Sequence, residues 1–241
     1  MLEPRPFELH GVTLTSRLRS VHHFSFASFM NDNRTAWGPL TTLNHIVMPA
    51  GADLGPNPID NVDLIRIVRR GVLGSFGTLG LGLRTLEDEV EVISVGSGIV
   101  LGDRNLSRSD LEYVELRLAT SSRMERPSRV LTRFPDRKQL GEFIVLASGC
   151  PHDRRALSLQ SATRVSACRV RTGQSVTQPI ARGTHAYLMM LSGQGVANHH
   201  LLKSGDGLAI ADEPALSFRA HRGAELLLIE AREASEAPAA A

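Results

Sequence analysis

The chain has 241 residues, a formal net charge of +2, a sequence pI near 8.8, 42% hydrophobic residues and a mean hydropathy of −0.07. That is enough chain for one large β domain or two ordinary ones, and too little charge to argue for a nucleic-acid partner. Two cysteines, Cys150 and Cys168, are too few for a disulfide framework, and no apolar run reaches the roughly 18–20 residues of a membrane span.

Read in chain order, Met1-Leu2-Glu3-Pro4-Arg5-Pro6 lacks the charged-then-apolar pattern of a signal peptide, so cytoplasm is the expected location. Residues 1–39 form a lead-in segment before the first strand-rich unit. Leu64–Val68, Val90–Val95 and Tyr113–Leu118 each read as strands, and the last alternates polar and apolar side chains as a half-buried strand should. Turns at Arg70-Gly71, Gly80-Leu81-Gly82 and Gly96-Ser97-Gly98 separate the runs. The glycine-rich stretch Gly71–Gly82 lacks the strand–loop–helix setting and the Lys-Ser/Thr ending of a phosphate loop, so hairpin turns explain it.

The polar run Ser121–Ser128 begins a connection over 121–136. Ser158-Leu159-Gln160, Val165–Val170, Tyr187–Leu191 and Ala224–Glu230 then restart the strand pattern across 137–232. Glu233–Ala241 is rich in Ala, Glu and Pro and reads as a disordered tail. Many short strands divided by turns indicate an all-β sandwich or barrel, and the matching layout of two halves, over 40–120 and 137–232, reads as two such units. Lys138 and Lys203 are the only lysines, a bias that reads as coding preference in a GC-rich bacterial genome.

Two segments carry a family resemblance. Gly55-Pro56-Asn57-Pro58-Ile59-Asp60-Asn61-Val62-Asp63 resembles G-P-H-P-H-x-x-x-E, and Gly96-Ser97-Gly98-Ile99-Val100-Leu101-Gly102-Asp103 resembles G-S-G-I-x-H-x-E. Val21-His22-His23-Phe24-Ser25-Phe26, Trp37-Gly38-Pro39-Leu40 and Leu43-Asn44 follow the same family's spacing, as do Thr184-His185-Ala186-Tyr187 and Leu202–Ile210. The pattern is that of the pirin-like bicupin family, which implies two jelly-roll-like cupin barrels packed face to face.

The resemblance also implies a metal site of three histidines and a glutamate in the first barrel, yet this chain has Asn57, Ile59, Leu101 and Asp103 at those positions. Residues two apart on a strand share a face, which is why H-x-H chelates, but an amide and an alkyl group cannot replace two imidazoles. One carboxylate and one amide do not make a transition-metal site, so no metal or other cofactor is expected. The departure extends to Ser75 and Gly77, where the family often shows H-x-D-S, and to Glu87-Asp88-Glu89 in place of P-G-D.

The nine histidines offer no obvious substitute. His22 and His23 read as packing residues and His185 as structural. His199 and His200 are adjacent and would face opposite ways on a strand. His45 precedes the first ligand-position strand and is a candidate for the cavity. Cys150 and His152 could pair as nucleophile and base, but no third group orients them.

The site predicted from these residues is a cavity bounded by Asn57, Ile59, Asp63, Leu101 and Asp103, with Asp103 and His45 as catalytic candidates. Three functions follow: binding of a small organic molecule without metal; a cofactor-independent isomerase or cyclase of a biosynthetic pathway, using Asp103 as acid or base in an apolar setting beside Ile59 and Leu101; or a protein-interaction module. The metal-dependent quercetinase chemistry that the resemblance suggests is disfavoured by the missing ligands. Expected partners are a small-molecule ligand or substrate, with no nucleic acid and no membrane, on a monomer or weak dimer.

Overall fold

Period-two alternation of side chains builds almost every element of this molecule. The computed structural model describes residues 1–120, 126–134 and 141–232. Among them lie three antiparallel-rich sheets and only two short 3-10 turns, Phe7–Leu9 and Asp32–Arg34. The all-β expectation is met.

The first half pairs two sheets. A seven-stranded sheet runs Ser128–Arg133, Glu89–Ser94, Val62–Arg70, Leu111–Ala119, Leu40–Met48, Arg19–His22, Gly11–Leu14. A four-stranded sheet runs Asp53–Ile59, Ile99–Asn105, Val72–Gly77, Gly80–Leu86. Their inner faces meet in two apolar clusters, one around Ile46, Met48, Val68, Leu73 and Tyr113, the other around Leu64, Ile93, Ile99 and Leu101. The second half is a nine-stranded sheet that curls around its own core, in which Ala186, Leu188, Leu208, Phe218 and Leu226 are buried.

The outer face of the seven-stranded sheet packs on the outer face of the second half. On Leu111–Ala119, Tyr113 and Glu115 point into the first barrel, whereas Val114, Leu116 and Leu118 point out of it. On Thr184–Ala197, Tyr187 and Met189 answer them from the other side. Leu43, Ile65, Ile67, Val92, Leu227 and Ile229 complete one continuous apolar interface. Each such side chain, fully buried, contributes about 1.5–3 kcal/mol, so the halves are joined by a core rather than by a linker.

Two segments are placed differently from the expectation. The lead-in does not merely rest on the barrels. Leu2–Arg5 pairs with Gly207–Ala211 in the second half, while Gly11–Leu14 and Arg19–His22 join the first-half sheet. Within the expected connection over 121–136, Ser128–Arg133 is a strand paired with Glu89–Ser94. Its Val130-Leu131-Thr132 core is rich in strand-forming residues, but Ser128-Arg129-Val130-Leu131-Thr132-Arg133 shows no polar–apolar alternation to announce a strand. The remainder of that connection, apart from residues 126, 127 and 134, lies outside the described residues, as does the tail over 233–241.

Candidate functional site

A cavity of about 250 Å³ opens into the first barrel between its two sheets. Strand Ile99–Asn105 pairs with Asp53–Ile59 so that Leu101 lies opposite Asn57, and a bulge between Leu101 and Asp103 brings Asp103 opposite Leu54. Asn57, Ile59, Leu101 and Asp103 therefore all line one cavity. Leu54, Ile59 and Leu101 make the apolar part of one wall, Ile46 adds an apolar side chain on the facing one, and Phe26 contributes from the lead-in. Asn57 is exposed, and its Nδ2 donates to the carbonyl of Gly55 at 2.9 Å, which turns the amide toward its own backbone.

The opposite wall is otherwise polar and was not anticipated. Tyr113, Glu115 and Arg117 reach it from one strand, Asn44 from the next, and His22 from the strand beyond. His22 is held on both ring nitrogens, Nε2 at 2.8 Å from Thr13 Oγ1 and Nδ1 at 2.8 Å from Asn44 Oδ1. It was expected to be a packing residue, but its strand parity carries it to the cavity. Arg117 Nε donates to Glu115 Oε1 at 3.0 Å, pairing the two charges beside the cavity.

Asp103 is not the lone carboxyl in an apolar setting that the sequence suggested. Its Oδ1 accepts from Arg66 Nη1 and its Oδ2 from the Tyr113 hydroxyl at 3.0 Å. Arg66 is wholly buried and extends the chain of charges. Its Nε donates to Glu91 Oε2 at 2.6 Å and its Nη2 to Ser75 Oγ at 2.9 Å. Arg129 holds the other oxygen of Glu91, while its Nη2 donates to Thr85 Oγ1 at 3.1 Å. Burial works against the Arg66 cation, but Asp103 and Glu91 outweigh it and raise its pKa above the ordinary arginine value. Burial, reinforced by Asp103 and Glu115, pushes the Tyr113 phenol well above 10, so it is a neutral donor.

Arg66 and Glu91 had a signal in the sequence. Each interrupts a strand of otherwise apolar residues, Leu64-Ile65-Arg66-Ile67-Val68 and Val90-Glu91-Val92-Ile93. A single charge at an inward position of a buried strand requires a counter-charge nearby.

Two expected site residues lie elsewhere. Asp63 shares the parity of Ile65 and Ile67, so it faces the other half of the molecule. Its Oδ1 accepts from Ser94 Oγ at 2.9 Å, and its Oδ2 accepts from the backbone amides of Gln160 and Ser161 at 2.8 Å each. It ties the two halves together and does not reach the cavity. His45 shares the parity of Leu43 and likewise points away. Its Nε2 sits 2.8 Å from Glu112 Oε1, in a seam that also includes Phe7 and Met189. That hydrogen bond lowers the Glu112 pKa against the opposing effect of burial.

The donor set at Asn57, Ile59, Leu101 and Asp103 does not fit a transition-metal ion. It supplies one carboxylate already engaged by a guanidinium and a phenol, one amide and two alkyl groups. Among the described residues no group of three or more His, Cys, Asp or Glu side chains is disposed to hold a metal. A second cavity, of about 440 Å³, opens at the mouth of the second barrel beside Cys150, Arg164, Ile180, Thr184 and Glu230. No helix among the described residues is long and apolar enough to cross a membrane.

Comparison with known proteins places this geometry. The chain is 33% identical over 230 residues to a Pseudomonas aeruginosa protein provisionally named a quercetin 2,3-dioxygenase, covering 95% of this chain and 99% of that one. It is 30% identical over 231 residues to the pirin-like protein of Caulobacter vibrioides, covering 96% and 100%. Residues 145–231 match the family described as the quercetinase C-terminal cupin domain. The crystal structure of the bacterial pirin YhhW of Escherichia coli, in complex with nickel(II), superimposes with a TM-score of 0.90 at 22% identity, over 96% of this chain and 99% of that one. This chain belongs to the pirin-like family of the cupin superfamily.

Proposed function

We propose that the first barrel binds a compact organic molecule without the help of a metal ion. The observation that carries this reading is the Arg66–Asp103–Tyr113 cluster. The one carboxylate left at the four ligand positions has both oxygens engaged by side chains, beside a cavity with one apolar and one polar wall. Its volume of about 250 Å³ lies just below the roughly 300–1,000 Å³ usual for ligand sites, which favours a small ligand. The apolar body of that ligand rests on Ile59, Leu101 and Leu54. Its hydrogen-bond donors meet the acceptors of Asp103 and Tyr113. The dioxygenase chemistry named for relatives is not carried over, because that chemistry needs a bound ion to mediate electron transfer to dioxygen.

Native mass spectrometry of the purified protein tests the reading, alongside elemental analysis. A co-purifying organic molecule, lost when Leu101→Trp fills the cavity, is the expected result. Near one equivalent of iron, nickel, copper, manganese or zinc per chain, removed together with activity by a chelator, would sink it.

A second reading is favoured by one contact. The 3.0 Å hydrogen bond between the neutral Tyr113 phenol and Asp103 Oδ2 places a proton at the cavity wall. In a metal-independent isomerase or cyclase this pair, rather than Asp103 with His45, moves the proton. Metabolite profiling of a deletion strain separates the two readings. An accumulating intermediate that purified protein converts, and that Tyr113→Phe and Asp103→Asn proteins do not, establishes the enzyme.

A further inference from the structure

Inside the first barrel the buried charges balance without any bound ion. Three carboxylates, Asp103, Glu91 and Glu115, face three guanidinium groups, Arg66, Arg129 and Arg117. Arg66 lies at the centre. It is 0% exposed, and three of its nitrogens are committed to Glu91, Asp103 and Ser75. The strand that carries it, Val62–Arg70, directs Leu64, Arg66 and Val68 into the barrel, so Arg66 reaches Asp103 from inside the wall rather than from solvent.

We infer that Arg66 is the resident cation of the first barrel: a guanidinium tethered to the chain supplies Asp103 with the positive charge that a divalent ion supplies in a metal-loaded cupin, and it keeps the barrel closed to metal even when imidazoles are restored. The inference rests on the metal-free reading above. Two physical reasons support it. A carboxylate whose oxygens already accept from Arg66 and Tyr113 is a weaker ligand for an ion, because both hydrogen bonds, one of them charge-assisted, draw on its negative charge. A divalent ion would also add two positive charges to a buried cluster that is already neutral, next to a guanidinium that cannot lose its proton.

Nickel(II) titration calorimetry on two engineered proteins tests it. The first carries Asn57→His, Ile59→His and Leu101→His, with Arg66 kept. The second adds Arg66→Thr and Glu91→Gln, which remove one charge of each sign and preserve the balance. Nickel(II) should bind the second at least a hundredfold more tightly than the first. Equal affinities, or no nickel binding by the second protein when circular dichroism shows it folded, would overturn the inference.

If the fivefold variant does not fold, the single variant Arg66→Ala supplies an independent measurement. Its melting temperature should fall and then partly recover in low-millimolar guanidinium chloride, but not in sodium chloride of equal ionic strength. No fall, or recovery that does not distinguish the two salts, would equally overturn it. The outcomes are separable from failure of the metal-free reading, since that failure shows as metal in the unaltered protein. Failure of the present inference shows only in the variants.

Discussion

Asp103 shows how far a residue's role depends on a neighbour that is remote in sequence. Its partner Arg66 lies 37 residues away and Tyr113 lies 10 away, yet together they decide whether the carboxylate is free. Replacing Arg66 by Met leaves Asp103 and half of Glu91 buried without a cation, and should cost about 3–5 kcal/mol, read as a lower midpoint in urea unfolding. Tyr113→Phe removes one donor to Asp103 Oδ2 and should cost about 1–2 kcal/mol by the same measurement. Asp63 makes the contrasting case. It accepts three hydrogen bonds at the junction of the halves, so Asp63→Ala should lower stability by about 3 kcal/mol while leaving ligand occupancy of the cavity unchanged in native mass spectra. A fall in occupancy at a temperature where the variant is fully folded would return Asp63 to the binding site.

At the scale of the element, parity sorts these roles. On Val62–Arg70 the even positions Leu64, Arg66 and Val68 enter the barrel, and the odd positions Asp63, Ile65 and Ile67 meet the second half. On Leu40–Met48, Asn44 and Ile46 reach the cavity, while Leu43 and His45 face outward. The alternation itself was legible in the sequence, but which face is inside was not, because both faces of this sheet are buried and both are rich in apolar residues. That is the physical reason His45 was expected at the site and lies elsewhere, while Asp63, at the glutamate of the G-P-H-P-H-x-x-x-E pattern, follows the same parity out of the barrel. The resemblance had a firmer basis on Asp53–Ile59 and Ile99–Asn105, where it aligned Asn57, Ile59, Leu101 and Asp103 with known ligand positions. All four line one cavity. The sheet predicts its own test. Leu116, wholly buried on the outward face, should cost about 2–5 kcal/mol when truncated to Ala, measured by calorimetric melting.

For the whole molecule, the seam between lead-in and second barrel contributes a response to acid. Burial, with Arg34 second, lowers the His10 pKa from 6.5 to about 4, and burial together with His10 drives His23 well below 6.5. The two rings lie against each other, tilted by 37° with centroids 3.9 Å apart, and His23 Nδ1 lies 2.9 Å from the Tyr187 hydroxyl. Between pH 6.5 and 4 the unfolded chain therefore binds protons that the folded chain refuses. The stability these two rings contribute is fully present above pH 6.5 and is lost as pH falls, with His10 alone accounting for about 3 kcal/mol once pH is below 4. The melting temperature should thus drop between pH 7.5 and 5, and His10→Gln should flatten that slope. An unchanged slope would place the acid-sensitive groups elsewhere.

The sequence by itself determined the strand-rich class and its division into two halves through local alternation and turn residues, and its resemblance to the pirin-like family marked the two barrels and the ligand positions that lack imidazoles. Only the tertiary structure decided which strand faces turn inward, that Ser128–Arg133 joins the first sheet, and that Arg66 stands against Asp103. Those facts depend on pairing between strands distant along the chain, where a one-residue change of parity sends a side chain to the other side of a sheet.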